Sequence, residues 1–283
     1  MKFKNSNPQT SWGQKFKDSN FGILEFWNPG ILESWNPGIR NLFLWMVLFA
    51  VPAQLSAQRK ITFLAADRLE VTADLYLYDA GAPYIILFHQ ENSSRGEYRE
   101  IAPKLQKLGF NCLAVDLRSG KECNFVQNET AALALKNDLS ATTSDGEKEI
   151  RAAMEYVEKT AINNRYILFG SLFSASLAMK AANQNKKVTA VIAFSPGEYF
   201  SPVKVSDWLK DFDKLIFVSS TKREQPFVAE LVKDIPEQLL TVYDPSGDGI
   251  RGAPALWSEQ TEANEIWMSL LLFIKKVKDE KYK

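Results

Sequence analysis

Gly170-Ser-Leu-Phe-Ser174 decides how this chain folds. It follows Arg165-Tyr-Ile-Leu-Phe169, a continuous apolar run of the kind carried by a strand covered on both faces. It precedes a small-residue stretch, 173–183, that reads as a helix. A tight turn from strand to helix crowds the backbone, so the positions two before and two after its apex must be small. Gly170 and Ser174 meet that condition for an apex at Leu172. Centring the turn on Ser171 would place Phe169 and Phe173 at the crowded positions, and centring it on Ser174 would place Leu172 at one.

Working outward, further apolar runs at 84–88, 112–115, 188–194, 214–218 and 239–243 predict buried strands, and the alternation over 69–78 predicts a half-exposed one. Helices are expected over 97–108, where Gly109 is the natural stop, then 146–159, 226–233 and 263–278, with a long polar loop after residue 115. Strands alternating with helices give parallel units and a sheet covered on both faces. The expectation is a three-layer α/β sandwich with a mostly parallel sheet of about eight strands, spanning 58–283.

The chain before that domain reads differently. Four of the seven tryptophans precede residue 58, and the same segment holds a tandem repeat of period eight, Gly22-Ile-Leu-Glu-Phe-Trp-Asn-Pro29 and Gly30-Ile-Leu-Glu-Ser-Trp-Asn-Pro37. Two copies of so short a unit cannot stack into a core, and the Pro-Gly steps break regular structure. Residues 1–41 are therefore expected to form no packed domain; a binding tail or a start assigned too far upstream would both give this pattern. Residues 42–57 carry ten apolar residues after Arg40 and close on Pro52-Ala-Gln-Leu-Ser-Ala57, the pattern of a secretory signal peptide cleaved after Ala57. The apolar run is too short for a comfortable membrane span. A secreted or periplasmic protein with no stable span after cleavage is expected.

Composition excludes several functions. Thirty-four basic residues balance 34 acidic ones, so no broad nucleic-acid surface is expected; beyond residue 57 the balance is 29 to 31. His89 is the only histidine and there are two cysteines, which rules out multi-histidine and Cys-rich metal sites. Cys112 reads as an inward-facing strand thiol and Cys123 as a loop residue. No phosphate-cradling glycine loop occurs, and no metal or cofactor is expected.

With the elbow-like turn stand Leu87-Phe-His-Gln90 after a strand, Arg95-Gly-Glu-Tyr98 opening a helix, and Ala114-Val-Asp-Leu-Arg118 in the next strand. In this order and spacing the chain resembles an α/β-hydrolase of the dienelactone hydrolase-like type, over roughly residues 61–278. The resemblance implies that position 172 should hold a serine nucleophile, with the amides of Gln90 and Phe173 as the oxyanion hole. It also implies an acid after the strand ending near Ser219, for which Glu224 is the candidate, and a histidine after the last strand. Leu172 holds the first of these places, and Arg251, beside Gly252, holds the last. Leucine has no nucleophilic atom, and arginine stays protonated and cannot act as a base. His89, Ser171 and Ser195 are the remaining pocket candidates: His89 as a structural residue of the Gln90 turn, Ser195 as pocket wall, Ser171 on the wrong side of the elbow. The expectation is an exported hydrolase-fold protein of ester or lactone hydrolase ancestry that has lost its catalysis and offers a pocket to a small apolar, ester-like ligand. The competing expectations are an active hydrolase built around His89, Ser195 or Ser171, and a membrane-tethered binding domain.

Overall fold

The computed structural model describes residues 58–280 apart from 164 and 184; the expected tail (1–41) and signal segment (42–57) lie outside the described residues. Eight strands form one open sheet: β1 (Gln58–Leu64), β2 (Glu70–Tyr76), β3 (Tyr84–Phe88), β4 (Asn111–Val115), β5 (Tyr166–Ser171), β6 (Val188–Phe194), β7 (Leu215–Ser219) and β8 (Leu240–Tyr243). Their order is β1-β2-β4-β3-β5-β6-β7-β8. The β1–β2 and β2–β4 pairs are antiparallel and all the others parallel.

Among the described residues seven helices flank the sheet: α1 (Ile101–Lys107), α2 (Glu129–Lys136), α3 (Glu147–Thr160), α4 (Phe173–Ala182), α5 (Val205–Trp208), α6 (Gln225–Val232) and α7 (Ala263–Glu280). The apolar run of β3 shows why three layers form. Ile86 and Phe88 enter one core with α3, α4 and α6, while Ile85 and Leu87 enter a second core with α1 and α7. A strand that must bury both faces has no place for alternation, which is why its sequence reads as unbroken hydrocarbon.

The expected fold holds, with three local differences. β1 pairs with β2 along its whole length, Gln58↔Tyr76 to Leu64↔Glu70, yet the sequence reading had no strand there. It is an edge strand whose residues are mostly exposed, so its hydrophobic signal is only Ile61 and Phe63, packed on the core beneath. The stretch after residue 115, read as a polar loop, contains α2, started by Asn128, whose Oδ1 accepts the Ala131 amide at 2.8 Å. The helix expected over 97–108 is two pieces, a 3-10 turn at Arg95–Tyr98 and then α1.

Two of the sequence marks meet in space. Arg95 pairs with Asp116 at 2.5 Å, with Asp74 at 3.1 Å and with Glu129 at 2.7 Å, fixing the turn after β3 to the end of β4. Cys112 is buried in β4, Cys123 is half-buried, and both thiols are free. Among the described residues no helix is long and apolar enough to cross a membrane. Because β4 flanks β3 on one side and β6 flanks β5 on the other, the chain leaves β3 and β5 in opposite directions, and the loops after these two strands open a crevice at the carboxyl ends of the strands.

Candidate active site

The elbow lies at that crevice. Leu172 has φ 56° and ψ −121°, a conformation that residues with a Cβ rarely adopt. Its amide donates to the Phe194 carbonyl of β6 at 2.8 Å, and its own carbonyl accepts the Ala175 and Ser176 amides at 3.0 and 3.3 Å, starting α4. A Cβ on Gly170 would lie 2.4 Å from the Ala175 Cα, so the helix could not close against the strand with any larger residue there. Ser174 is small and also useful: its Oγ accepts the Ser171 amide at 2.9 Å and donates to the Phe88 carbonyl at 2.7 Å, tying β3 to the elbow. The Leu172 side chain is half-buried.

The segment after β8 comes to this turn. A Cβ on Gly252, whose φ is +74°, would fall 2.7 Å from both the Leu172 Cδ1 and the Ser171 Oγ. Glycine is favoured there by the backbone angle, and a Cβ would also push these side-chain ends aside. The neighbouring Arg251 donates from Nε to Glu224 Oε1 at 2.6 Å and from Nη2 to the Tyr199 hydroxyl at 3.1 Å. Glu224, on the turn after β7, accepts from Ser195 Oγ at 2.8 Å, from the Thr221 amide at 3.1 Å and from Thr221 Oγ1 at 3.0 Å. Burial opposes its ionisation, but the hydrogen bonds from Ser195, Thr221 and Arg251 outweigh burial and hold the carboxyl below its usual range. The positions assigned to nucleophile, acid and base are thus together, joined by an ion pair and a leucine rather than by a proton-transfer chain.

The other sequence candidates are accounted for one by one. Ser195 is buried and has φ 50°; its hydroxyl is committed to Glu224 and accepts the Gly252 amide at 3.1 Å. Ser171 is buried and its hydroxyl accepts the Ala253 amide at 2.9 Å. His89 is wholly buried: Nδ1 donates to the Gln90 carbonyl at 2.6 Å, and Nε2 accepts the Leu117 amide at 2.8 Å. Burial holds its pKa down at about 4, so the ring is neutral and both nitrogens are engaged in structure. The Phe173 amide opens α4, where no intrahelical acceptor exists for it.

Gln90 departs from the expectation. Its amide does not face the crevice; it donates to Glu97 Oε2 at 3.0 Å. Glu97 was quoted within Arg95-Gly-Glu-Tyr98 but given no role by the sequence. Its side chain is fully buried, and burial raises its pKa to about 7. Nothing local distinguishes this glutamate from a solvated one; only the fold carries it inward. Thr221 joins the acid and Tyr199 the arginine beside it, neither with a sequence signal for that position.

A shallow cleft of about 490 Å³ opens on the acid side, lined by Thr221, Arg223, Glu224, Asp248, Gly249 and Arg251. Among the described residues no group of three or more His, Cys, Asp or Glu side chains could hold a metal ion.

Comparison with known proteins agrees with this fold. The family model described as "Dienelactone hydrolase family" matches residues 74–243. No curated protein matches the chain. Among solved structures, the esterase Pf2001 of Pyrococcus furiosus aligns with TM-score 0.58 at 14% identity, covering 88% of this chain and 93% of that one. A 2,6-dihydroxy-pseudo-oxynicotine hydrolase aligns with TM-score 0.60 at 13% identity, over 84% and 75% of the two chains. A dienelactone hydrolase from Anabaena variabilis aligns with TM-score 0.55 at 16% identity, over 77% and 95%. At these identities the likeness is one of fold.

Proposed function

Because the chain belongs to the dienelactone hydrolase family, we propose that it is a hydrolase-fold protein of ester or lactone hydrolase ancestry whose serine chemistry has been lost. The observation that carries this reading is Leu172 at the apex of the elbow, φ 56° and ψ −121°, where the family's nucleophile would stand. Its hydrocarbon offers no lone pair to an acyl carbon. Arg251 supports the same reading: bonded to Glu224 and to the Tyr199 hydroxyl, it stands where a histidine would, and a guanidinium cannot take a proton at physiological pH. Loss of a single triad serine or histidine costs about 10⁶-fold in turnover, so loss of both leaves no useful rate. What is retained is a crevice made more apolar by Leu172, suited to a small ester-like ligand. Export through the 42–57 segment, with cleavage after Ala57, is part of the proposal and is tested by amino-terminal sequencing of the extracytoplasmic fraction.

The test compares the native chain with Leu172→Ser/Arg251→His on short-chain p-nitrophenyl esters and with a fluorophosphonate probe. The native chain should neither turn over nor be labelled, and the double variant should do both. Turnover or labelling by the native chain overturns the reading.

A further inference from the structure

Glu97 meets three of the segments around the crevice: the turn after β3, the elbow and the chain after Gly252. The 3-10 turn carrying it is capped by Ser94, whose Oγ accepts the Gly96 amide at 3.0 Å and donates to the Val126 carbonyl at 2.7 Å. The adjoining Tyr98 hydroxyl donates to the Phe88 carbonyl at 2.6 Å. These bonds drive the Glu97 side chain inward. There Oε2 accepts the Gln90 amide of the turn after β3, and the carboxyl lies beside the Ser171 and Ser93 hydroxyls. Ser171 in turn accepts the Ala253 amide, next to Gly252 and Arg251. The Glu97 carbonyl accepts the Trp257 indole N–H at 2.9 Å, from further along the same segment. Oε1 is buried with no well-formed hydrogen bond.

A carboxyl so enclosed is costly, and an apolar residue would stabilise a core better if packing were its only task. What it does here is local: it turns one backbone N–H away from the crevice. The next amide, Glu91, then has no acceptor among the described residues. We propose that Glu97 is a positioning residue of the hydrolase site, holding the Gln90 N–H inward so that the Glu91 N–H is the amide of this turn left to meet an anionic oxygen with that of Phe173. Oε2 can accept from Gln90 whether the carboxyl is protonated or not, so the tie holds on both sides of neutral pH. The inference rests on the family reading of the site given above.

Two measurements test it. In the full native chain labelled with ¹⁵N-glutamine, the Gln90 amide resonance, identified by its loss in Gln90→Asn, should move upfield in Glu97→Leu. It should stay near its native place in Glu97→Gln, whose side-chain carbonyl can still accept. An unmoved resonance in Glu97→Leu overturns the proposal. In the Leu172→Ser/Arg251→His background, Glu97→Leu should lower kcat about 10²-fold, as loss of one oxyanion donor does. KM for p-nitrophenyl acetate should be unchanged, and Glu97→Gln should keep kcat. Equal loss with leucine and glutamine, or no loss with leucine, overturns it. If the double variant itself neither turns over nor takes the fluorophosphonate, the triad assignment has failed, and the Gln90 resonance alone decides the role of Glu97.

Discussion

Replacing Leu172 by glycine and by alanine should give stabilities in the reverse of their usual order. At an unstrained position glycine is the weaker of the two by roughly 0.5–1 kcal/mol, because its unfolded chain has more freedom to lose. Leu172 is held at φ 56°, ψ −121°, and such a conformation costs a residue with a Cβ roughly 1–3 kcal/mol. Alanine keeps the Cβ and therefore the strain. It also gives up the half-buried leucine side chain, worth about 1 kcal/mol of apolar burial. Glycine gives up the same burial and releases the strain. Setting about 2 kcal/mol of relief against about 0.7 kcal/mol of unfolded-state entropy leaves Leu172→Gly more stable than Leu172→Ala by about 1 kcal/mol. For a domain of this size that is a difference of about 2–4 °C in Tm. Urea titration and thermal melting of the two variants, followed by circular dichroism, measure it directly. If Leu172→Gly is equal to or weaker than Leu172→Ala, the elbow is not strained and the placement of Leu172 at its apex is wrong.

Other substitutions probe the groups around the elbow. Glu97 ionises near 4.5 when unfolded and near 7 when folded, so between these values the native state holds the extra proton and stability falls as pH rises. Glu97→Gln removes this dependence. Its stability relative to the native chain should grow by about 3 kcal/mol from pH 4.5 to 7 and stay level outside that window, as read from urea midpoints across pH; a difference independent of pH would show that the carboxyl is not buried. Glu224→Ala should cost more than Arg251→Ala, about 1–3 against under 1 kcal/mol, because it strands the buried Ser195 hydroxyl while the arginine side chain is 54% exposed. Equal losses in chemical denaturation would show that the ion pair, not the serine, is what Glu224 anchors.

The sequence carried the fold wherever one residue type was forced by two demands at once. β3, β5 and β6 are buried on both faces, and only hydrocarbon serves there; the elbow permits only small residues beside its apex, as the Gly170–Ala175 approach shows. β1 escaped because an edge strand buries only part of one face and leaves little hydrophobic record. α2 escaped because its capping asparagine and short alanine–leucine run sit within a polar stretch. At the site, the approach of Leu172, Arg251 and Glu224 to one another was legible, because the order of elements fixes where each stands. Gln90 was placed on the right turn, but which way its N–H points depends on Glu97, seven residues on, and no local pattern reveals that a 3-10 turn will press that glutamate inward. Side-chain commitments such as Ser195 to Glu224 are likewise products of tertiary approach, 29 residues apart in the chain.

The close contact between Gly170 and Ala175 bears on how a strained nucleophile turn arises at all. Here the turn holds a leucine, which has no nucleophilic atom, yet its backbone stays in a conformation that residues with a Cβ rarely adopt. Catalysis therefore does not maintain the strain. It comes from seating a helix hard against the end of the strand that precedes it, and any sequence that makes that crossover inherits the angle whatever side chain stands at the apex. On this view a strained apex is a by-product of helix seating, and the architecture enforces the geometry whatever side chain stands there.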